Sequence, residues 1–140
     1  MKNIALISCV SKKRKEKSKA KDLYLSALFT KSLKYAQDVL KPDNIFILSA
    51  KFGLLELDRV IEPYDETLNR MGKAAKEQWA AKVLEQLKSV SNLDDDKFIF
   101  LAGKNYCESL LPKLRKTEIP MKGMTIGKRL QWLNNKIGTL

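Results

Sequence analysis

The sequence predicts an α/β protein, with a single three-layer α/β/α domain spanning residues 1–140 and a mostly parallel sheet of about four strands. Two observations favour this class. Short, continuously apolar segments begin near residues 3, 44 and 97, and such runs are typical of buried strands. Segments with helical hydrophobic periodicity alternate with them, and this order gives a parallel sheet. A length of 140 residues fits one domain.

The first half of the chain contains two strands and one helix. Asn3–Cys9 is the first strand, and residues 10–21 follow as a loop with seven basic residues and one acidic residue. Mutual repulsion should keep this loop open and mobile unless an anion neutralises it. Asp22–Leu40 has apolar residues at helical spacing and ends before Pro42. The second strand is Asn44–Ser49.

The second half begins with residues 50–72, which have no clean periodicity. We expect a long ordered loop there, with one short helical turn at most. Loops of this length are usually functional or disordered, and the apolar content of this one argues against disorder. A helix, a strand, a helix, a short edge strand and a final helix should follow in that order: Lys73–Val90, Lys97–Ala102, Asn105–Lys116, Glu118–Met121, and Thr125 or Ile126 to Lys136. The helix Asn105–Lys116 should be interrupted or restarted around Pro112.

The composition excludes several kinds of chemistry. Histidine is absent, so a Ser-His-Asp triad, a Cys-His pair and a His-ligated zinc are excluded. We expect no metal and no cofactor. Two cysteines are too few for a disulfide scaffold, and we find neither a membrane-length apolar run nor a leader segment. The expectation is a reduced, cytoplasmic protein without membrane contact.

The net charge of +11 indicates a polyanionic partner. Residues 1–41 carry +8 and residues 101–140 carry +6, whereas residues 42–100 carry −3. Nucleic acid is the predicted partner, with DNA and RNA both open. The alternative is that the lysines serve solubility or reflect a lysine-rich genome. The cations expected on the nucleic-acid backbone are Lys13, Arg14, Lys128 and Arg129.

Each predicted strand is followed by an unusual polar or glycine-containing loop. The carboxyl ends of parallel strands meet at one edge of the sheet, where open α/β proteins bind ligands. Lysines and helix N-termini at that edge would favour phosphate, although each lysine alone could be a solvated surface residue. The candidate substrate and phosphate ligands are Ser8, Cys9, Lys12, Ser49, Lys51, Gly53, Tyr64, Gly103, Lys104, Asn105 and Tyr106.

Asp58 and Asp65 are the candidate catalytic residues. They lie in the long loop that should fold over the strand edge. A carboxylate there could activate water or stabilise a developing positive charge. The alternative is that they are structural turn acids. The sequence does not choose between the two residues.

Six short motifs together resemble a family of short bacterial, archaeal and phage proteins of unknown function. The family patterns are S-C-x-x-K-K, D-L-Y, S-A-K-[YF]-G-L-L, D-x-x-I-x-P-Y-D, F-x-x-L-A-G-x-x-Y and G-x-x-I-G-x-x-L-x-W-L, which correspond here to Ser8–Lys13, Asp22–Tyr24, Ser49–Leu55, Asp58–Asp65, Phe98–Tyr106 and Gly123–Leu133.

The middle motifs are also similar, more distantly, to the YaaA peroxide-stress proteins, which bind DNA. That resemblance covers Gly53, Leu54, Leu55, Asp58, Pro63 and Tyr64. The architecture resembles that of uracil-DNA-glycosylase-like proteins, which implies a water-activating Asp and phosphate-binding loops at the strand edge. Neither resemblance covers the whole chain.

Three functions therefore stay open after the sequence analysis. The first is an enzyme that processes a nucleobase or an N-glycosidic bond in nucleic acid, with Tyr64 or Tyr106 stacking on a flipped base. The second is a non-catalytic DNA- or RNA-binding module. The third is a small-molecule enzyme acting on nucleotides or nucleosides.

Overall fold

A computed structural model of the chain describes residues 1–138 and confirms the α/β class. The strands are β1 (Asn3–Ser8), β2 (Ser18–Lys19), β3 (Asn44–Ser49), β4 (Gly53–Glu56), β5 (Val60–Ile61), β6 (Lys97–Leu101) and β7 (Lys116–Glu118). The α-helices are α1 (Ala20–Leu23), α2 (Ala27–Tyr35), α3 (Lys73–Val90), α4 (Lys104–Cys107) and α5 (Ile126–Gly138). A π-helical turn, Ala36–Leu40, extends α2, and 3-10 turns occupy Leu68–Arg70 and Leu111–Lys113.

The main sheet has the strand order β4-β3-β1-β6-β7 and is parallel except for β4, which runs antiparallel to β3. The chain moves from β1 to β3 in one direction and then returns past β1 to reach β6. Because such crossovers are right-handed, the intervening helices cover opposite faces of the sheet. The four residues Ile4–Ile7 of β1 are all buried, as this arrangement requires. Helices α2 and α5 pack together, whereas α3 packs against β4.

The sheet has five strands instead of about four, because the segment 50–72 is not the strandless loop that we expected. It contains β4 in the main sheet and β5, which pairs with β2 in a two-stranded ribbon. A 3-10 turn at Leu68–Arg70 supplies the expected helical turn. Strands of four and two residues are too short to show an alternating pattern, and this explains why periodicity missed them.

The sequence leaves the order of the basic loop 10–21 undecided, and the structure shows a loop tied to the rest of the fold by backbone contacts. Backbone hydrogen bonds of 2.8 Å join Arg14 N to Leu23 O and Leu25 N to Lys12 O. Ser18 and Lys19 form β2. The loop is held by its backbone, so its charged side chains can point outward without opening it.

The helix expected at Asp22–Leu40 is divided. Helix α1 ends at Leu23, and α2 starts at Ala27 with the Ser26 hydroxyl accepting a hydrogen bond from Phe29 N at 3.1 Å. Such an N-cap satisfies a backbone donor that the helix itself leaves unpaired. The extended residue Tyr24 between the two helices is buried, so core packing overrides the helical spacing.

The segment Asn105–Lys116 is interrupted before Pro112, as expected, and less of it is α-helical than predicted. It consists of α4 and the 3-10 turn that contains Pro112, a residue that lacks the N–H needed by a continuous helix. The edge strand is β7 at Lys116–Glu118 instead of Glu118–Met121. Within residues 1–138, no helix combines the length and apolar character needed to cross a membrane.

Candidate functional site

A cleft of about 330 Å³ opens at the carboxyl edge of the sheet, beside the ends of β1 and β6. Connections leave these neighbouring strands in opposite directions, since β1 leads to β3 and β6 leads to β7. This is the topological switch point at which open α/β proteins bind ligands. The volume lies in the range of small-ligand sites, roughly 300–1,000 Å³. The predicted convergence therefore holds for the first and third strands.

Three cationic side chains line this cleft, and each comes from a different part of the chain. Lys13 follows β1, Lys104 begins α4, and Arg129 belongs to α5. The Lys13 ammonium lies 4.5 Å from the ring centroid of Tyr64. The Arg129 guanidinium approaches the end of β6, where a nitrogen of this group would lie 3.8 Å from a Cβ added to Gly103.

One wall of the cleft is a chain of polar side chains centred on Asn105. Its amide oxygen accepts a hydrogen bond from the Lys76 ammonium at 3.0 Å, and its amide nitrogen donates to the Asn69 oxygen at 2.5 Å. Lys76 also lies 3.9 Å from a Glu108 carboxylate oxygen. These contacts fix the orientation of Asn105, and Asn69 and Asn105 both line the cleft.

Hydroxyl and thiol groups form a cluster at the floor of the cleft and behind it. The Cys9 thiol and the Tyr106 hydroxyl share a hydrogen bond of 3.2 Å. Behind them, the Tyr64 hydroxyl lies 2.5 Å from the Tyr24 hydroxyl and accepts a hydrogen bond from the Ser49 hydroxyl at 2.7 Å. Burial raises the pKa of all three tyrosines above the ordinary 10.0. At neutral pH they are therefore protonated and cannot serve as bases.

Ser49, Lys51 and Gly53 form the β3–β4 hairpin and do not line the cleft. The Ser49 hydroxyl accepts hydrogen bonds from Phe52 N at 3.0 Å and Lys51 N at 3.3 Å, which closes the turn. The Ser49 carbonyl accepts one from the Trp79 indole at 2.8 Å. The contacts of this motif shape the hairpin, and both Ser49 and Phe52 touch Tyr64 of the floor cluster. A ligand-binding role of Ser49, Lys51 and Gly53 stays a prediction.

Asp58 and Asp65, the candidate catalytic residues, are not at the cleft. The Asp58 carboxylate lies 3.5 Å from the Lys21 ammonium, and its side chain is 75% exposed. The Asp65 carboxylate lies 3.5 Å from Arg70, and its side chain is 99% exposed. This placement agrees with the alternative of turn acids, and the geometry gives no support to their catalytic role, which stays a prediction.

The remaining candidates divide by position. Ser8 and Gly103 line the cleft with the residues already named, whereas Lys12, Arg14 and Lys128 are exposed and lie outside its lining. Within residues 1–138, no three His, Cys, Asp or Glu side chains lie together in a way that could hold a metal ion.

Sequence reasoning missed four polar or charged residues at or behind the cleft: Glu66, Thr67, Asn69 and Lys76. The first three follow the P-Y-D motif directly, inside the long loop, and that position was a usable signal. Lys76 lies on α3, where nothing in the sequence distinguishes it from the other helix lysines.

These features define a small α/β protein with a cationic cleft at its topological switch point. The chain belongs to a family of unknown function, DUF6884, which matches residues 4–135. This confirms the expected membership of a family without an assigned function. No protein with a curated description matches the sequence. The function must therefore be argued from the cleft.

Proposed function

We propose that the cleft binds a nucleotide unit of a nucleic acid through its phosphate and its base. The observation that carries this proposal is the convergence of Lys13, Lys104 and Arg129 from separate elements on one cleft. Among the described residues that line it, Glu66 is the single carboxylate. Three cations against one acid favour an anion, and phosphate is the anion that such sites commonly hold.

The other groups at the cleft suit the base and the sugar. The oriented amides of Asn69 and Asn105 can donate to and accept from the edge of a base, and protonated Tyr106 can hydrogen-bond at the floor. Exposed Lys12 and Arg14, which flank Lys13 in the sequence, are available to a longer nucleic-acid backbone. The net charge of +11 supports a polyanionic partner.

Binding of adenosine monophosphate (AMP), measured by calorimetry, tests the proposal. We expect Lys13→Ala/Lys104→Ala to weaken binding at least tenfold, since each charge-assisted hydrogen bond contributes about 1.5–3 kcal/mol. The matched control is Lys73→Ala/Lys113→Ala, which removes the same charge from a separate depression beside α3. Absence of AMP binding by the wild type, or an equal loss in the control, would contradict the proposal.

A second candidate function is cleavage or transfer at an N-glycosidic bond, and the position of Glu66 favours it. When the C1′–N bond breaks, its electron pair leaves with the base, and a carboxylate stabilises the positive charge that develops on the sugar. The oxygen of water, or a hydroxyl acceptor, then bonds to C1′, and the proton that it loses goes to the nitrogen of the departing base. Glu66 lines the cleft, unlike Asp58 and Asp65.

Release of free base from single-stranded DNA and RNA oligonucleotides tests this second candidate. We expect Glu66→Gln to abolish the release while oligonucleotide affinity stays within about twofold, because the amide keeps the shape but cannot stabilise a cation. Asp58→Asn is the matched control and should leave the release unchanged. Equal loss in the Asp58 variant would overturn the assignment to Glu66.

A further inference from the structure

A second cavity, which we call the apolar groove, adjoins the cleft. It has a volume of about 530 Å³ and lies between α4 and the segment 119–124. Its walls are mainly apolar, and the side chains that form them are Cys107, Leu111, Ile119, Met121 and Met124. Nothing in the nucleotide-binding proposal uses these residues.

The groove and the cleft share two lining residues with charged side chains, Lys104 and Arg129. These two cations therefore border both cavities. A ligand that occupies both must pass beside them, and its charged part would find its partners there. We propose that the groove holds the base of the neighbouring nucleotide, so that cleft and groove together bind a dinucleotide step with its phosphodiester at Lys104 and Arg129.

The charged residues that line the apolar groove support a nucleotide base with its phosphodiester as the occupant. Lys122 adds a third cation to the groove, and Glu108 is the one carboxylate among the described residues that line it. A neutral apolar partner would need none of these cations, whereas a phosphodiester between two bases needs both the cations and the apolar walls. Bases taken out of a stack are commonly held between apolar side chains.

The chemistry of Cys107 also fits an unreactive side chain in the wall of the apolar groove. Its side chain is buried, and its thiol donates to the Ala102 carbonyl at 3.4 Å. Burial raises the pKa of this thiol to about 11. The thiol is therefore protonated at neutral pH and contributes an apolar surface instead of a nucleophile.

The inference rests on the proposed function and gives it a substrate class, namely a single strand with at least two nucleotides instead of a free mononucleotide. The four methionines of the chain allow a direct test. Met121 and Met124 line the groove, whereas Met1 and Met71 line neither cavity. Methyl-labelled methionine spectra therefore contain both the probe and its internal control.

The titration compares AMP with the dinucleoside monophosphates ApA and d(ApA). We expect either dinucleotide to shift the methyl resonances of Met121 and Met124 through the ring current of the second base, with Met1 and Met71 unchanged. AMP should bind without these shifts. If AMP shifts the groove methyls as strongly, or if a dinucleotide binds without shifting them, the groove is not the second base site. If neither ligand binds, the proposed function itself fails.

An affinity measurement gives an independent readout. Ile119→Glu places a carboxylate in the groove, and we expect it to weaken d(ApA) binding at least tenfold while AMP binding stays within twofold. Val60→Glu adds the same charge at an exposed position on β5, outside both cavities. Equal weakening of AMP and d(ApA) by Ile119→Glu would overturn the assignment, and thermal melting confirms that both variants are folded.

Discussion

At the level of single residues, Gly53 shows how a motif can be structural. Its φ is +74°, a conformation that side chains other than glycine rarely adopt, and an added Cβ would lie 2.4 Å from the Gln86 amide oxygen. Gln86 closes the hairpin by accepting a hydrogen bond from Leu54 N at 2.8 Å and donating to Phe52 O at 3.1 Å. The glycine permits both the turn and this contact.

Gly53→Ala should lower the free energy of unfolding by about 1–3 kcal/mol, because it forces a strained backbone and displaces Gln86. Urea denaturation measures the loss. The control Gly72→Ala should change stability much less, since an added Cβ there meets nothing within 4 Å. A Gly53→Ala protein of unchanged stability that fails to bind AMP would contradict the structural role and return this residue to the ligand site.

The buried tyrosines make stability depend on alkaline pH. Burial raises the pKa of Tyr24, Tyr64 and Tyr106 above 10.0 in the folded protein, so the unfolded chain releases these protons first. Their contribution is fully present below pH 10 and decreases above it. Above pH 10, each of these tyrosines that stays protonated in the folded protein but ionises in the unfolded chain should lower the free energy of unfolding. The expected decrease is about 1.4 kcal/mol per pH unit for each such tyrosine.

Urea denaturation from about pH 9 to pH 11 measures this dependence, and Tyr24→Phe is the informative variant. Its unfolding free energy should decrease less steeply with pH than that of the wild type. The difference between the two slopes should correspond to about one proton released on unfolding. A slope identical to that of the wild type would show that Tyr24 loses its proton equally easily in both states.

Among the secondary-structure elements, the end of α2 carries local strain. Lys41 follows the π-helical turn with φ +47°, and its N–H donates to Ala36 O at 2.9 Å. Glycine is the residue that best fits such a left-handed cap. The helix therefore ends in a conformation that its own sequence does not favour.

Lys41→Gly should raise the free energy of unfolding by about 0.5–1 kcal/mol, because it relieves the left-handed strain. Lys34→Gly, at an exposed position in the last turn of α2 where the helix continues into the π-helical turn, should lower it by about 1 kcal/mol. Thermal and urea unfolding of both variants measure these opposite effects. A loss of stability in both would mean that Lys41 makes a contribution that outweighs its backbone strain.

The three central strands could be predicted because β1, β3 and β6 are buried on both faces and therefore read as continuous apolar runs. The loops after β1 and β6 also meet, as expected, at the edge of the sheet where the cleft opens. The hairpin strand β4 could not be predicted, because its position depends on a positive φ at Gly53 and on Gln86, 33 residues away in the sequence. Tertiary contacts of this kind leave no local pattern.

The candidate site could be predicted only in part. Cys9 and Lys104 follow the two strands that border the switch point, so strand order alone placed them near the cleft. Asp58 was expected over the strand edge, but β4 and β5 carry it to a turn beside Lys21. The positions of these acids depend on the short strands β4 and β5, which leave no periodic pattern in the sequence.

For the whole molecule, the charge distribution agrees with the position of the cleft. The cationic ends of the sequence, residues 1–41 and 101–140, supply Lys13, Lys104 and Arg129, which meet where β1 and β6 are neighbours. The middle segment, with its net charge of −3, supplies α3 and the hairpin. The fold thus brings together the two parts of the chain that carry the positive charge.

The most direct test of the account is the salt dependence of binding to single-stranded DNA and RNA oligonucleotides. For the wild type we expect a linear fall of log affinity with log salt concentration, with tighter binding to oligonucleotides than to AMP. Lys13→Ala/Lys104→Ala should reduce the slope by about 1–1.5, and Lys73→Ala/Lys113→Ala should leave it unchanged. The absence of oligonucleotide binding at low salt, or a slope reduced only in the control, would contradict a nucleic-acid cleft at the switch point.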